Sequence, residues 1–93
     1  MQYLVVALDG KDEEAPARRA KVRPEHLVGA RALKERGAVI IGGALLNDAG
    51  GMIGSGMIFE AESEEAVREM LAADVYSRAG VWREFQIWPF RQG

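Results

Sequence analysis

Cysteine is absent from this 93-residue chain and histidine occurs once. The first absence excludes disulfides, thiolate metal sites and cysteine nucleophiles together. A single imidazole removes most zinc constellations as well, so no metal is expected. There is no basic excess: twelve Lys and Arg stand against fourteen Asp and Glu, a formal net charge of -2. A reader of phosphate backbones normally carries such an excess, so no nucleic-acid partner is expected. Long apolar runs are also missing. The longest, Tyr3–Leu8 and Ala38–Leu46, fall far short of the ~20 residues that span a bilayer. Met1–Asp9 has no basic signal-peptide start, so the expected setting is cytoplasmic, with no membrane partner. What is there suits a globular chain: 48% hydrophobic and 28% charged residues, where disorder would need far fewer apolar ones. The length points to one domain covering residues 1–93.

Periodicity and punctuation divide the chain into six segments. Tyr3–Leu8 is rich in β-formers and ends at Asp9-Gly10, a strand followed by a turn. Asp12, Glu13, Glu14 and Pro16 suit the first turn of a helix that could extend to Gly37. Pro24 interrupts that pattern, leaving open one long bent helix or a short turn followed by a second helix. Val39–Leu46 is a second strand, and Asn47-Asp48-Ala49-Gly50-Gly51 reads as a hairpin loop. Met52 to Glu62 predicts a third strand. Ser63 is a good N-cap, with Glu64 and Glu65 behind it, for a helix ending near Asp74. Val75–Gly80 reads as a loop, and Val81–Trp88 as a fourth strand stopped by Pro89.

The order β-α-β-β-α-β predicts an α+β fold of ferredoxin-like type, an antiparallel sheet with both helices on one face. The first strand is apolar on both sides, Tyr3, Val5 and Ala7 against Leu4, Val6 and Leu8. A sheet with one wet face should alternate apolar and polar instead. In the last strand Trp82, Trp88 and Phe90 are expected to share that second face. Large apolar groups left in water forfeit ~1.5–3 kcal/mol each, so a homodimer pairing sheet against sheet is expected.

Candidate chemistry is sparse. His26 is the one side chain whose unperturbed pKa suits proton transfer near neutrality; its helical spacing with Ala30 and Leu33 turns it inward. A histidine hydrogen-bonded at the core edge would satisfy the same pattern. Asp74 shares a face with Val67 and Met70 at a helix C-terminus, where the macrodipole disfavours an anion by ~0.3–1 kcal/mol. It is either solvated or paired with Arg78, or it is aimed at an imidazole. Ser55 lies between Gly54 and Gly56, which clear space for a ligand or for another backbone. Gly42-Gly43 reads as a bulge or bend, with no phosphate-loop context. Arg23, one turn before His26, could clamp an anion, and Tyr76 could donate a hydrogen bond or merely pack. Met52, Met57 and Met70 read as packing residues.

Arg23-Pro24-Glu25-His26-Leu27, Ile41-Gly42-Gly43, Gly54-Ser55-Gly56, Ala73-Asp74-Val75-Tyr76 followed by Ala79-Gly80-Val81, and Ile87-Trp88-Pro89-Phe90 together resemble the YciI-like (YCII-related) family. The resemblance covers nearly the whole chain. It implies a dimeric ferredoxin-like α/β barrel and a His–Asp centred site with a serine or threonine nearby, here His26, Asp74 and Ser55. The resemblance also implies suspected catalysis, since some relatives act on aromatic breakdown intermediates while most members have no known substrate. The family commonly has proline after the aspartate, where this chain has Val75. With the two helices taken as roughly parallel, a His26–Asp74 pair requires His26 to lie well along helix one, which favours the long helix.

The leading expectation is a small cofactor-free enzyme performing elimination or isomerisation on a small metabolite. His26 would be the general acid/base, Asp74 its orienting partner, and Ser55, Arg23 and Tyr76 the substrate-binding residues. The alternative is a dimeric ligand-binding or accessory module without catalysis. A cofactor-free oxygenase on the same fold has no specific residue signature in this chain.

Overall fold

The computed structural model describes all residues 1–93. Its elements follow the order β1 (Gln2–Asp9), α1 (Ala15–Glu35), β2 (Val39–Leu46), β3 (Met52–Glu60), α2 (Glu64–Ala73), α3 (Val75–Arg78) and β4 (Trp82–Phe90). The four strands form one antiparallel sheet in the order β2-β3-β1-β4. This is the ferredoxin-like α+β arrangement. No helix is long and apolar enough to cross a membrane.

In β1 burial alternates strictly: Tyr3, Val5, Ala7 and Asp9 are buried, and Gln2, Leu4, Val6 and Leu8 are half-buried. Tyr3, Val5 and Ala7 meet Phe59, Met57 and Ser55 across β3. Val67, Leu71, Val75 and Tyr76 from the helices close over these residues to make the core. The opposite face keeps its apolar side chains outward, with Ile41 58% and Trp88 47% exposed. Met57 lies in the core and Met70 packs against it. Met52, at the hairpin end of β3, is exposed.

Helix α1 is continuous through Pro24. Pro24 and Ala20 both lie on the exposed side of the helix, so the carbonyl that loses its i+4 donor there can be hydrated. Glu14 is its N-cap and Asp12 and Glu13 precede it, so the three acids lie before the first turn rather than within it. Ser63 caps α2 as expected, accepting from the Ala66 N–H at 3.1 Å. The Asn47 turn also forms, its Oδ1 accepting from the Ala49 and Gly51 N–H groups and Gly50 supplying φ +85°.

Five further expectations need correction. Val75–Arg78 is a short helix, not a loop, because Asp74 caps it by accepting the Tyr76 N–H at 2.9 Å. Strand β4 continues through Pro89, which pairs opposite Tyr3. β4 is an edge strand, where a missing N–H is tolerated. A register shift between Leu8 and Asp9 brings Asp9 opposite Trp82, which moves Trp82 onto the helix side, 4% exposed. Gly42 and Gly43 pair regularly with Met57 and Gly56; the irregularities flank them at Val39/Ile41 and Leu45/Leu46. The helices are antiparallel, not parallel. β1 and β3 run in opposite directions, and the helix after each strand returns along it. Hence Arg36 meets Met70, His26 meets Asp74, and Arg19 lies over Tyr76.

Candidate active site

The end of α2 abuts the middle of α1, and that meeting point builds the site. His26, the twelfth residue counted from Ala15, presents its ring beside Asp74. His26 Nδ1 lies 2.8 Å from Asp74 Oδ1, with side chains 13% and 10% exposed. The same carboxylate oxygen accepts the Tyr76 N–H. A carboxylate only accepts, so Nδ1 is the nitrogen that donates to Asp74, and in the neutral imidazole the lone pair is then on Nε2. Arg78 does not compete for Asp74; it donates to Glu25 and to the Ala73 carbonyl. As the cap of α3, Asp74 also sits at a favourable helix start, which offsets the unfavourable macrodipole at the end of α2.

Aromatic packing fixes the imidazole from the other side. The Tyr76 ring stacks on His26 at 3.8 Å between centroids and 10° between planes. Trp82 approaches both edge-on, at 5.7 Å from His26 and 5.4 Å from Tyr76. The Tyr76 hydroxyl is buried without a hydrogen-bond partner. Burial pushes its pKa above the ordinary phenol value, with Arg19 and Arg23 pulling the other way.

Beneath the histidine lies a polar network that the sequence did not single out. Arg19 and Asp9, 5% and 3% exposed at their side chains, form a buried ion pair. Arg19 Nη1 donates to both Asp9 carboxylate oxygens, at 2.9 and 3.0 Å. Arg19 Nη2 and Trp82 Nε1 both donate to Ser55 Oγ, at 3.0 and 3.1 Å. The guanidinium carbon of Arg19 stands 4.6 Å over the Tyr76 ring. A signal for this pair was present: Asp9 continues the inward parity of Tyr3, Val5 and Ala7, and Arg19 lies two turns before His26 on the same helix stripe.

A cavity of about 320 Å³ opens between α1 and the sheet. His26, Asp74, Ser55, Arg23 and Tyr76, the five expected catalytic and substrate-binding residues, line it. Gly42 and Gly43 help form its wall; a side chain at Gly42 would touch Met57 at 3.4 Å. Arg23, Arg31 and Lys34 stand exposed along the α1 rim, whereas Asp74 is the one carboxylate in the lining. The cavity is therefore electropositive, and it holds a base, a buried hydroxyl and flat aromatic surface. No group of three or more His, Asp or Glu side chains suited to a metal ion occurs in the fold.

Comparison with known proteins bears on the family and the fold. The YCII-related domain matches residues 1–91. Protein YciI of Escherichia coli O6:H1 is 35% identical over 98 aligned positions, covering 99% of this chain and 98% of the relative. Protein YciI of Shigella flexneri matches to the same extent. Among solved structures, 5-chloro-2-hydroxyhydroquinone dehydrochlorinase (TftG) from Burkholderia phenoliruptrix, in complex with 2,5-dihydroxybenzoquinone, superimposes with a TM-score of 0.85. It is 26% identical, and the match covers 100% of this chain and 96% of that one. With the fold, the order of motifs and a near full-length match in agreement, the chain belongs to the YCII-related family.

Proposed function

We propose that the protein is a cofactor-free acid–base catalyst acting on a small, planar, anionic metabolite of aromatic type. The observation that carries this reading is the 2.8 Å contact between His26 Nδ1 and Asp74 at the cavity wall. Asp74 holds the tautomer, so Nε2 is the base. In an elimination, Nε2 takes a proton from a hydroxyl or carbon of the substrate. The released electron pair forms a new π bond, the leaving group departs with its bonding pair, and the imidazolium returns the proton to solvent. An isomerisation uses the same first step and gives the proton back at another carbon. Arg23 at the rim attracts the anion, Ser55 binds an oxygen, and the Tyr76 ring supplies flat surface. The Burkholderia relative is a dehydrochlorinase in complex with a dihydroxyquinone, and both its activity and its ligand support this substrate class.

The same reading includes a homodimer joined through the outer sheet face. Leu4, Val6, Leu8, Ile58 and Trp88 leave that face apolar, and the helices cover only the other. A second copy of the same face is the simplest complementary surface.

The test is chloride release from 5-chloro-2-hydroxyhydroquinone by the parent, His26→Ala and Asp74→Asn. General acid/base catalysis contributes about 10²–10⁴-fold, so His26→Ala should lose turnover on that scale while still binding 2,5-dihydroxybenzoquinone. Equal turnover in His26→Ala would overturn the reading. Binding by a parent that turns over neither this compound nor other screened hydroxyaromatics would favour a ligand-binding module.

A further inference from the structure

Ser55 is buried, 3% exposed, yet lines the cavity. A serine hydroxyl has one hydrogen to donate and two lone pairs to accept with. Both lone pairs are engaged, one by Arg19 Nη2 at 3.0 Å and one by Trp82 Nε1 at 3.1 Å. Within the protein Ser55 receives two hydrogen bonds and donates none. Arg19 cannot swing away, because Asp9 grips its other nitrogen with both oxygens. The main chain is equally constrained: a side chain at Gly54 would meet the Ala7 carbonyl at 2.5 Å.

Building on the acid–base reading above, we propose that Arg19 and Trp82 act as positioning residues that make Ser55 an obligate hydrogen-bond donor to an oxygen anion of the substrate. A hydroxyl with both lone pairs committed is a poor nucleophile, since attack would require giving up one of those bonds. Its hydrogen, by contrast, is polarised by a guanidinium and an indole N–H and has the cavity to donate into. The ligand class that fits is a phenolate, enolate or hydroxyquinone oxygen, whose negative charge such a donor stabilises when His26 removes a proton elsewhere on the molecule. The predicted role is binding of developing charge with no covalent serine intermediate.

The probe is 4-nitrophenolate, small enough for the cavity and followed by its own absorbance, with nitrobenzene as an oxyanion-free counterpart. A hydrogen bond to a charged group amounts to about a ten- to hundredfold affinity ratio. Ser55→Ala should weaken 4-nitrophenolate binding by that factor and leave nitrobenzene binding unchanged, and Ser55→Thr, which keeps the hydroxyl, should recover most of the loss. Trp82→Phe frees one lone pair, so it should weaken the phenolate several-fold while sparing nitrobenzene. A purely structural serine would move both probes together. Equal effects on the two probes, no effect of Ser55→Ala, no phenolate binding by the parent, or labelling of Ser55 by a fluorophosphonate would each overturn the proposal. These are binding measurements made without turnover. They can fail while His26 proves catalytic, and can succeed if it does not.

Discussion

Asp9 and Arg19 form the most deeply buried ion pair in the molecule, each nearly stripped of water and dependent on the other. Removing one partner leaves an uncompensated buried charge, a loss of about 3–5 kcal/mol. Asp9→Asn is therefore expected to lower unfolding stability by that amount in urea melts, and to disturb Ser55 through Arg19. A change below about 1 kcal/mol, the scale of an exposed pair, would show the pair to be well hydrated. Tyr76 makes a pH prediction. Its folded-state pKa lies above the ordinary phenol value because burial disfavours the phenolate. A raised pKa contributes stability that is complete below the unfolded value of about 10 and is lost as pH rises beyond it. Thermal melts should thus fall steeply on the alkaline side in the parent and less so in Tyr76→Phe. At neutral pH the same variant should be neutral or slightly stabilising, since the hydroxyl it removes has no partner. Of the site residues, His26 and Asp74 were legible as a singular base and a carboxylate on inward faces. The Arg19–Asp9 pair left only a parity signal, and its link to Trp82 left none. An arginine on a half-polar helix stripe reads as solvated, and only the register shift at Asp9 brings Trp82 to Ser55.

Among the elements, α1 and β3 do most to shape the site. α1 has 21 residues and carries His26 at its middle. It tolerates Pro24 because the proline faces out and the hydrogen bonds on either side remain. β3 approaches β1 so closely at Gly54 that only glycine fits, with the Ala7 carbonyl 2.5 Å from where a side chain would begin. That backbone oxygen cannot rotate away. Gly54→Ala is expected to destabilise the sheet by more than the ~1 kcal/mol typical of point mutants and to displace Ser55. Gly56→Ala, whose nearest contact is the mobile end of Leu45 at 3.5 Å, should be far milder. Chemical denaturation of the two variants side by side checks this, and similar losses would refute the close-approach argument. Element types and approximate bounds could be read from the sequence. The fate of Val75–Arg78 could not, because a four-residue helix depends on its Asp74 cap more than on periodicity.

For the molecule as a whole, the outer sheet face is the apolar surface that the helices leave uncovered. Trp88 lies there opposite Leu4, half in water. A stable interface needs about 800 Å² from each partner, an area within reach of a four-stranded sheet. Light scattering should therefore give a dimer mass at micromolar concentration, and Trp88→Glu should shift it toward monomer by setting like charges across a two-fold axis. A parent that stays monomeric would refute the sheet-to-sheet pairing.

Strand and helix order, the capping by Ser63, the Asn47 turn and the two-sided hydrophobicity of β1 were determined by the sequence alone. Each rests on interactions between residues close in the chain or on a period of two or 3.6. The tertiary structure decided which distant groups meet. Antiparallel β1 and β3 force α1 and α2 to run in opposite directions, and that opposition delivers Asp74 to His26. One extra residue in β4, opposite the Leu8–Asp9 step, turned Trp82 from the outer face to Ser55. A register shift costs the local chain very little and reverses the side a residue faces, so local pattern could not reveal it.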